Sequence, residues 1–469
     1  MSDIQRARRN TLGDILRRSR RRYPERVALR FYEEALTYKE LDDIVNQAAH
    51  VLLAKGLTKG DRVAVFSRNS MDFAILNFAL ARAGIIMVPI NYMLNQEDVA
   101  FILSHAEVSA CFVSPEFIGL ADEAIRQSGC SPVLCSIISK PAAPVGNWVP
   151  FRQLIENGDR WEPQVDLDDD DVVHILYTSG TESKPKGVML THKSVITEYV
   201  STIIDGDMKE DDVVIHALPL FHSAQLHCFL GPYIYLGASG IILEQATPGL
   251  MLETVETYKA TQLFCPPTVW IALLRSPEFA ARNLSSLKKC YYGAAIMPVE
   301  ILKELNQRLP GAQFYNFYGQ TEVAPLATVL KPADQLRKPG SAGKPSLNVE
   351  TIIVDDDGNE VERGTVGEIV HRTSHAMLGY FRDEAKTEAA FQHGWFHSGD
   401  LGIMDEEGYI TVVDRKKDMI KSGGENVASR EVEELIYQHP KVSEVAVIGV
   451  PHPYWIEAVV AVVVPKAGE

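Results

Sequence analysis
Short apolar runs alternate with amphipathic stretches over much of this chain, and that rhythm restricts the fold more than any other property. Val63-Ala64-Val65-Phe66 reads as a strand, 70–84 as a helix and Ile85-Ile86-Met87-Val88 as a strand. Asn95 caps a helix reaching about His105, followed by strand 108–113, helix 116–128 and strand 132–138. Ahead of them, Thr37 and Glu40 form a capping-box pair before Leu41, Ile44, Val45, Ala48, Val51 and Leu52 at helical spacing. The rhythm returns with strand 239–244, helix 249–259, strand 261–265, a short helix, strand 288–292, helix 298–308 and strand 312–317. Strands joined by helices imply parallel sheet covered on both faces. The expected class is therefore α/β, with two β/α sheets bracketing a crevice. Ligands bind such sheets at the C-terminal ends of the strands.

Between the two halves, residues 140–170 are Pro-rich and then Asp-rich, which reads as a surface connection. From about 340 the texture changes to short strands with Asp/Gly turns, as in Val354-Asp355-Asp356-Asp357-Gly358-Asn359. We expect a large N-terminal domain over 1–413, with a β-rich subdomain at about 340–413. A small, mobile α+β domain would follow over 414–469, with a hinge near 415–417. Its expected parts are a Gly423-Gly424 turn, a helix capped by Ser429 and strands 443–449 and 457–464. A unit of that size buries little core by itself, so an incomplete C-terminal domain is expected.

Composition narrows the partners. With 46 basic and 62 acidic residues the net charge is −16, which excludes a general nucleic-acid surface but not a local basic pocket for a small anion. No apolar run is long enough to span a membrane, and no secretory leader is expected. The six cysteines show neither C-x-x-C pairing nor metal-ligand clustering, as expected of reduced thiols in a cytoplasmic protein. Eight arginines crowd the first 22 residues. They could give peripheral contact with anionic lipid, or form a solvated helix face with Leu12, Ile15 and Leu16 turned inward. A monomer and a homodimer both remain open.

Four stretches carry chemistry. Tyr177-Thr178-Ser179-Gly180-Thr181-Glu182-Ser183-Lys184-Pro185-Lys186-Gly187-Val188 follows the apolar run 172–176 and combines glycines, hydroxyls and two lysines. Backbone N–H groups of such a turn form a concavity for anions, so a polyphosphate suits it. It matches neither the Walker A pattern nor the dinucleotide fingerprint, and a plain Ser/Gly surface loop is the alternative. Tyr315-Asn316-Phe317-Tyr318-Gly319-Gln320-Thr321-Glu322 offers aromatics that can stack on a base and a carboxylate suited to Mg²⁺. Otherwise it is an aromatic sheet edge ending in a turn. Gly394-Trp395-Phe396-His397-Ser398-Gly399-Asp400 can present a carboxylate to ribose hydroxyls, or simply cap a turn. The charged run Asp414-Arg415-Lys416-Lys417-Asp418 up to Gly423-Gly424-Glu425-Asn426 is either a solvated loop or a hinge at the domain junction.

Taken in order, with Pro219-Leu220-Phe221-His222 and Tyr292-Gly293-Ala294-Ala295, these stretches resemble the AMP-forming adenylating superfamily of acyl-CoA synthetases, luciferases and peptide-synthetase adenylation domains. Within it the chain looks most similar to fatty-acyl-CoA synthetases of the bacterial FadD type. The resemblance implies an acid–thiol ligase that uses ATP, Mg²⁺ and coenzyme A on a small-molecule carboxylic acid. By it, Thr178, Ser179, Gly180, Thr181 and Lys186 hold the β- and γ-phosphates, and Tyr318 and Gly293 flank adenine. Thr321 contacts the α-phosphate, Glu322 carries Mg²⁺, and Asp400 and Arg415 grip the ribose. Lys417 matches the hinge residue, and Gly423 and Gly424 border the tunnel for coenzyme A. His222, Ala294, Ala295 and Gly319 would wall the acyl pocket. Amino-acid-activating relatives carry an aspartate where this chain has His222-Ser223, so an aliphatic or aryl acid is favoured.

Two departures stand out. The family loop usually has Thr-Gly where Glu182-Ser183 stand here, and Glu182 is expected to point away from the phosphates. The C-terminal Gly-Lys motif that neutralises the reacting carboxylate finds no counterpart, so impaired adenylation is expected of this polypeptide. A non-catalytic nucleotide or acyl binder is the alternative class.

Overall fold
The computed structural model describes residues 3–139, 143–178, 184–422, 425–437, 439, 441–452 and 454–466. Two large sheets dominate. The first runs, in spatial order, Gly379–Tyr380, Lys186–Thr191, Val172–Thr178, Ile86–Ile90, Arg62–Phe66, Val108–Val113, Leu134–Ile137, Val149–Pro150. Its strands from Val172–Thr178 to Val149–Pro150 pair in parallel, whereas Lys186–Thr191 returns antiparallel to Val172–Thr178. The second sheet runs Lys344–Pro345, Leu326–Leu330, Gln313–Gly319, Lys289–Gly293, Gln262–Phe264, Val213–His216, Ser239–Ile242, Val27–Phe31, Glu34–Thr37.

Local signals explain several of these elements. Thr37 Oγ1 accepts from the Glu40 N–H at 3.2 Å and the Glu40 carboxylate accepts from the Thr37 N–H at 2.8 Å, the capping box that opens Tyr38–Ala54. Asn95 Oδ1 accepts from the Asp98 N–H at 2.9 Å and opens Gln96–His105. Ser70 caps Met71–Ala83, and Gly84 ends it at φ +73°. Met71–Ala83 is buried along its whole length, and its residues join one core with residues of both large sheets. Its Arg82 is 2% exposed and donates to Asp42 at 2.7 Å, Asn46 at 2.6 Å and the Gly13 carbonyl at 2.8 Å, so the charge is paired inside.

The N-terminal arginines are mostly consumed within the fold. Helix Leu12–Arg22 buries Leu12, Ile15 and Leu16. Arg9 and Arg17 reach Asp14 and Glu162, and Arg20 reaches Asp42 and Asp43 at 2.7 Å. Burial pushes the Asp14 carboxyl up, but hydrogen bonds from Arg9 and Thr11 and the charges of Arg17 and Arg9 outweigh it and hold it at about 2.

Two sequence expectations need correction. The segment 140–170 is not only a surface connection: Val149–Pro150 adds a strand, Phe151–Ile155 a helical turn, and Trp148, Phe151 and Ile155 are buried. A helix of that length leaves no periodicity to read. Second, the two halves are not separate in sequence, because Val27–Phe31 pairs in parallel with Ser239–Ile242 in the second sheet.

Beyond the large sheets, Val349–Val354, Gly367–Thr373, Trp395–Met404, Phe391–Gln392 and Ile410–Arg415 form a five-stranded sheet over Ile353, Ile369, Met404 and Ile410. A fourth sheet contains Glu425–Val427, Ile420–Ser422, Ile456–Pro465 and Val442–His452, with helix Ser429–Tyr437 beside it. The class is α/β, with a large N-terminal part and a smaller β-rich C-terminal part.

Candidate functional site
Thr178 and Lys186 face each other where the two antiparallel strands of the first sheet end. Between them Ser179, Gly180, Thr181, Glu182 and Ser183 lie outside the described residues, as do Gly423 and Gly424. Lys186 extends its ammonium over the Tyr380 ring, 5.2 Å from the centroid. Lys184 turns instead to Phe101, at 5.1 Å.

Across the crevice, strand Gln313–Gly319 delivers Tyr318 and then turns at Gly319. A Cβ there would sit 1.8 Å from the Pro325 carbonyl oxygen, so only glycine fits. The chain continues into the short turn Thr321–Val323. The hydroxyls of Thr321 and Ser223 lie 3.0 Å apart, which ties this turn to the residue after His222. Glu322 Oε1 accepts from the Tyr380 hydroxyl at 2.9 Å, and the Glu322 carbonyl accepts from the Met377 N–H at 2.7 Å. Burial raises the Glu322 carboxyl above its usual value, offset in part by the Tyr380 hydroxyl and the positive charges of Lys186 and Arg415.

A second cluster adjoins it. Tyr318 donates its hydroxyl to Asp400 Oδ2 at 2.6 Å, and Arg415 Nε lies 3.8 Å from Asp400 Oδ1. Asp400 and Arg415 are direct partners on neighbouring strands, so the sheet itself presents them together. Gly293 ends strand Lys289–Gly293, and a Cβ there would meet the Phe317 carbonyl oxygen at 2.4 Å. Ala294, at φ +64°, and Ala295 follow it, both exposed. His222 Nδ1 accepts from the Ala224 N–H at 3.2 Å, and desolvation lowers its imidazole below the usual range. Lys417 is exposed in the turn after Arg415.

Fold geometry thus groups Thr178, Lys186, Glu322, Thr321, Tyr318, Asp400 and Arg415 around one region, although they span about half of the chain. Nearby, at strand ends of both sheets, Arg68, Asn69, Tyr92, Pro219 and Glu244 line a cavity of about 310 Å³. Asn69 stitches the sheets there. Its Nδ2 donates to the Leu218 and Leu243 carbonyls at 2.8 and 3.0 Å, and its Oδ1 accepts from the Leu220 N–H at 2.7 Å. Two contributors escaped sequence reasoning. Tyr380 sits 58 positions from Glu322 with no motif linking them. Glu368 accepts from the Gly399 N–H at 3.1 Å and from Lys416 at 3.2 Å, holding the residues next to Asp400 and Arg415.

Among the described residues no cluster of three or more His, Cys, Asp or Glu could cage a metal ion. The single half-buried carboxylate of Glu322 fits a different arrangement, Mg²⁺ held by one carboxylate and by substrate phosphates.

Residues 16–381 match the family described as AMP-binding enzyme, and residues 431–469 match the AMP-binding enzyme C-terminal domain. The chain belongs to the AMP-binding enzyme family. This AMP-binding enzyme is 34% identical over 446 residues to an indoleacetate–CoA ligase of Aromatoleum aromaticum, covering 95% of this chain and 86% of that protein. It is 32% identical over 496 residues to a long-chain-fatty-acid–CoA ligase of Escherichia coli O157:H7, covering 99% and 87%. The anthranilate CoA ligase AuaEII, solved in complex with anthranoyl-AMP, superposes with a TM-score of 0.90 at 26% identity, covering 98% and 87%. These relatives are CoA ligases and lend the non-catalytic alternative no support. No described helix of the AMP-binding enzyme is long and apolar enough to cross a membrane.

Proposed function
We propose that the chain is an acid–thiol ligase that activates a carboxylic acid with ATP and passes the acyl group to coenzyme A. In the first step a carboxylate oxygen attacks the α-phosphorus, the bond to the departing pyrophosphate breaks, and acyl-AMP remains. In the second, the thiol sulfur of coenzyme A attacks the acyl carbon and the C–O bond to AMP breaks. A free carboxylate is a poor electrophile, and AMP makes it a good one. The protein's part is positioning and charge neutralisation.

The observation that carries this reading is the meeting of Tyr318, Asp400 and Arg415 beside Thr321, Glu322 and Lys186. Tyr318 and Gly293 flank the base, and Asp400 with Arg415 holds the ribose. Lys186, with the loop residues after Thr178, steadies the phosphate tail. Mg²⁺, held by Glu322 and the phosphates, supplies charge neutralisation when bound. Thr321 reaches the α-phosphate. His222, Ala294, Ala295 and Gly319 wall a pocket without a fixed charge, which suits an aliphatic or aryl acid. The relatives include ligases of both kinds. We assign 1–413 to the ATP- and acyl-binding unit and 414–469 to a smaller unit hinged near Lys417, in the cytoplasm.

A panel of aryl, short-chain and long-chain acids tests this, read by pyrophosphate release and by binding of the matching non-hydrolysable acyl-adenylates. Tight binding of at least one acyl-adenylate supports the reading. Failure of every acyl-adenylate and of ATP to bind refutes it, and orthophosphate as first product would point to a different reaction.

A further inference from the structure
Tyr380 touches both ends of the phosphate-handling apparatus. Its hydroxyl donates to Glu322 Oε1 at 2.9 Å, while its ring carries the Lys186 ammonium at 5.2 Å. The backbone around it is anchored to the same two elements. Gly379–Tyr380 pairs with Lys186–Thr191, the Phe381 N–H donates to the Gly187 carbonyl at 2.7 Å, and the Met377 N–H donates to the Glu322 carbonyl at 2.7 Å. On its other side, the Tyr380 N–H donates to Thr387 Oγ1 at 2.9 Å. The segment is therefore a fixed strut between the phosphate hairpin and the Thr321–Glu322 turn.

We infer that Tyr380 is a positioning residue of the site, setting the orientation of the Glu322 carboxylate and the resting place of the Lys186 ammonium with one side chain. The inference rests on the ligase reading above. A carboxylate turns freely about its last bond, and a donor fixed on one oxygen sets its plane and leaves the rest of the group for a cation. A lysine ammonium rides on a flexible four-carbon stem, and an aromatic face gives it a seat without neutralising it. Among the described residues no carboxylate stands within ion-pairing distance of Lys186. Were Lys186 to bond Glu322 directly, each charge would be spent on the other before ATP arrived. The ring holds them as neighbours rather than partners. A purely structural role for the buried tyrosine makes a different prediction, because the hydroxyl would then be dispensable.

The test uses the full chain and four variants, Tyr380→Phe, Tyr380→Leu, Glu322→Gln and the double Tyr380→Phe/Glu322→Gln. ATP affinity is measured by calorimetry in excess Mg²⁺ and in EDTA, with thermal denaturation as a folding control. Tyr380→Phe should lower the ratio of Mg²⁺-bound to metal-free ATP affinity about tenfold, equivalent to about 1.4 kcal/mol. Its metal-free affinity should stay within about twofold, because the ring and the seat for Lys186 remain. Tyr380→Leu should weaken metal-free binding as well. Tyr380→Phe should add nothing to Glu322→Gln, since both act through one contact. A Tyr380→Phe protein with an unchanged ratio, an equal loss with and without Mg²⁺, or additive effects in the double variant would overturn the inference. If Tyr380→Leu does not fold, the isosteric Tyr380→Phe decides alone. An unsubstituted chain that binds no ATP would instead overturn the ligase reading itself.

Discussion

Asn69 offers the sharpest test of how the crevice is held. The side chain is 3% exposed and makes three hydrogen bonds to backbone groups of the second sheet, from a loop that belongs to the first. Asn69→Ala leaves two carbonyls and one N–H unsatisfied in a nearly dry place. At roughly 1 kcal/mol for each bond, the loss is about 3 kcal/mol. Unfolding entropy of about 2.1 cal/mol/K per residue gives a cooperative unit of roughly 400 residues about 0.8 kcal/mol/K, so the denaturation temperature should fall by about 4 °C. Asn69→Asp keeps the acceptor for Leu220 but sets a carboxylate against two carbonyls, so it should be worse than alanine at neutral pH. The introduced acid would have a folded pKa raised above about 3.9, so its folded state holds the proton more tightly. Its deficit should therefore grow as pH rises from 4 to 7 and shrink on acidification. Differential scanning calorimetry of both variants from pH 4.5 to 7.5 measures this. A shift of under about 1 °C for alanine, or an aspartate milder than alanine at pH 7, would refute the reasoning.

Three other outcomes are expected. The Asp14 carboxyl, at about 2 against an ordinary 3.8, contributes about 2 kcal/mol above pH 4, and this is lost as pH falls towards 2. Asp14→Asn should thus lower the denaturation temperature at pH 7, and the gap should shrink to roughly half at pH 3 and close only towards pH 2. Gly319→Ala should abolish ATP binding, because its Cβ would sit 1.8 Å from a backbone oxygen that cannot yield cheaply; calorimetry with ATP reads it directly. Glu182→Thr should change the ATP KM by less than about tenfold in a pyrophosphate-release assay, and a larger gain would mean that Glu182 faces the phosphates and repels them.

Much of the α/β architecture can be read from residues alone, because buried parallel strands and amphipathic helices have different periods. Thr37 and Asn95 announce their helices through side chains that accept backbone N–H groups, and those bonds are present. The direction of Lys186–Thr191 could not be read. An apolar run looks the same in a parallel or an antiparallel partner, and only the short connection to Val172–Thr178 distinguishes them. Val27–Phe31 hides for a related reason: Arg30 interrupts its apolar pattern in the strand next to the edge of the second sheet. The chemical motifs could be named one by one, but their spacing in sequence says nothing of the 2.6 Å between Tyr318 and Asp400. Tyr380 had no motif at all, since its importance comes from two contacts that exist only after folding.

Residues 27–37 edge a sheet whose other members come from 213–345, and Gly379–Tyr380 closes a sheet begun near residue 62. The halves are laced through one another. Cutting the chain near 160 should therefore not yield two independently stable fragments, since each would lack strands carried by the other. During synthesis the earliest β-ribbon must wait for a strand 211 residues later, as Leu29 pairs with Gly240, so such a molecule should fold slowly and late.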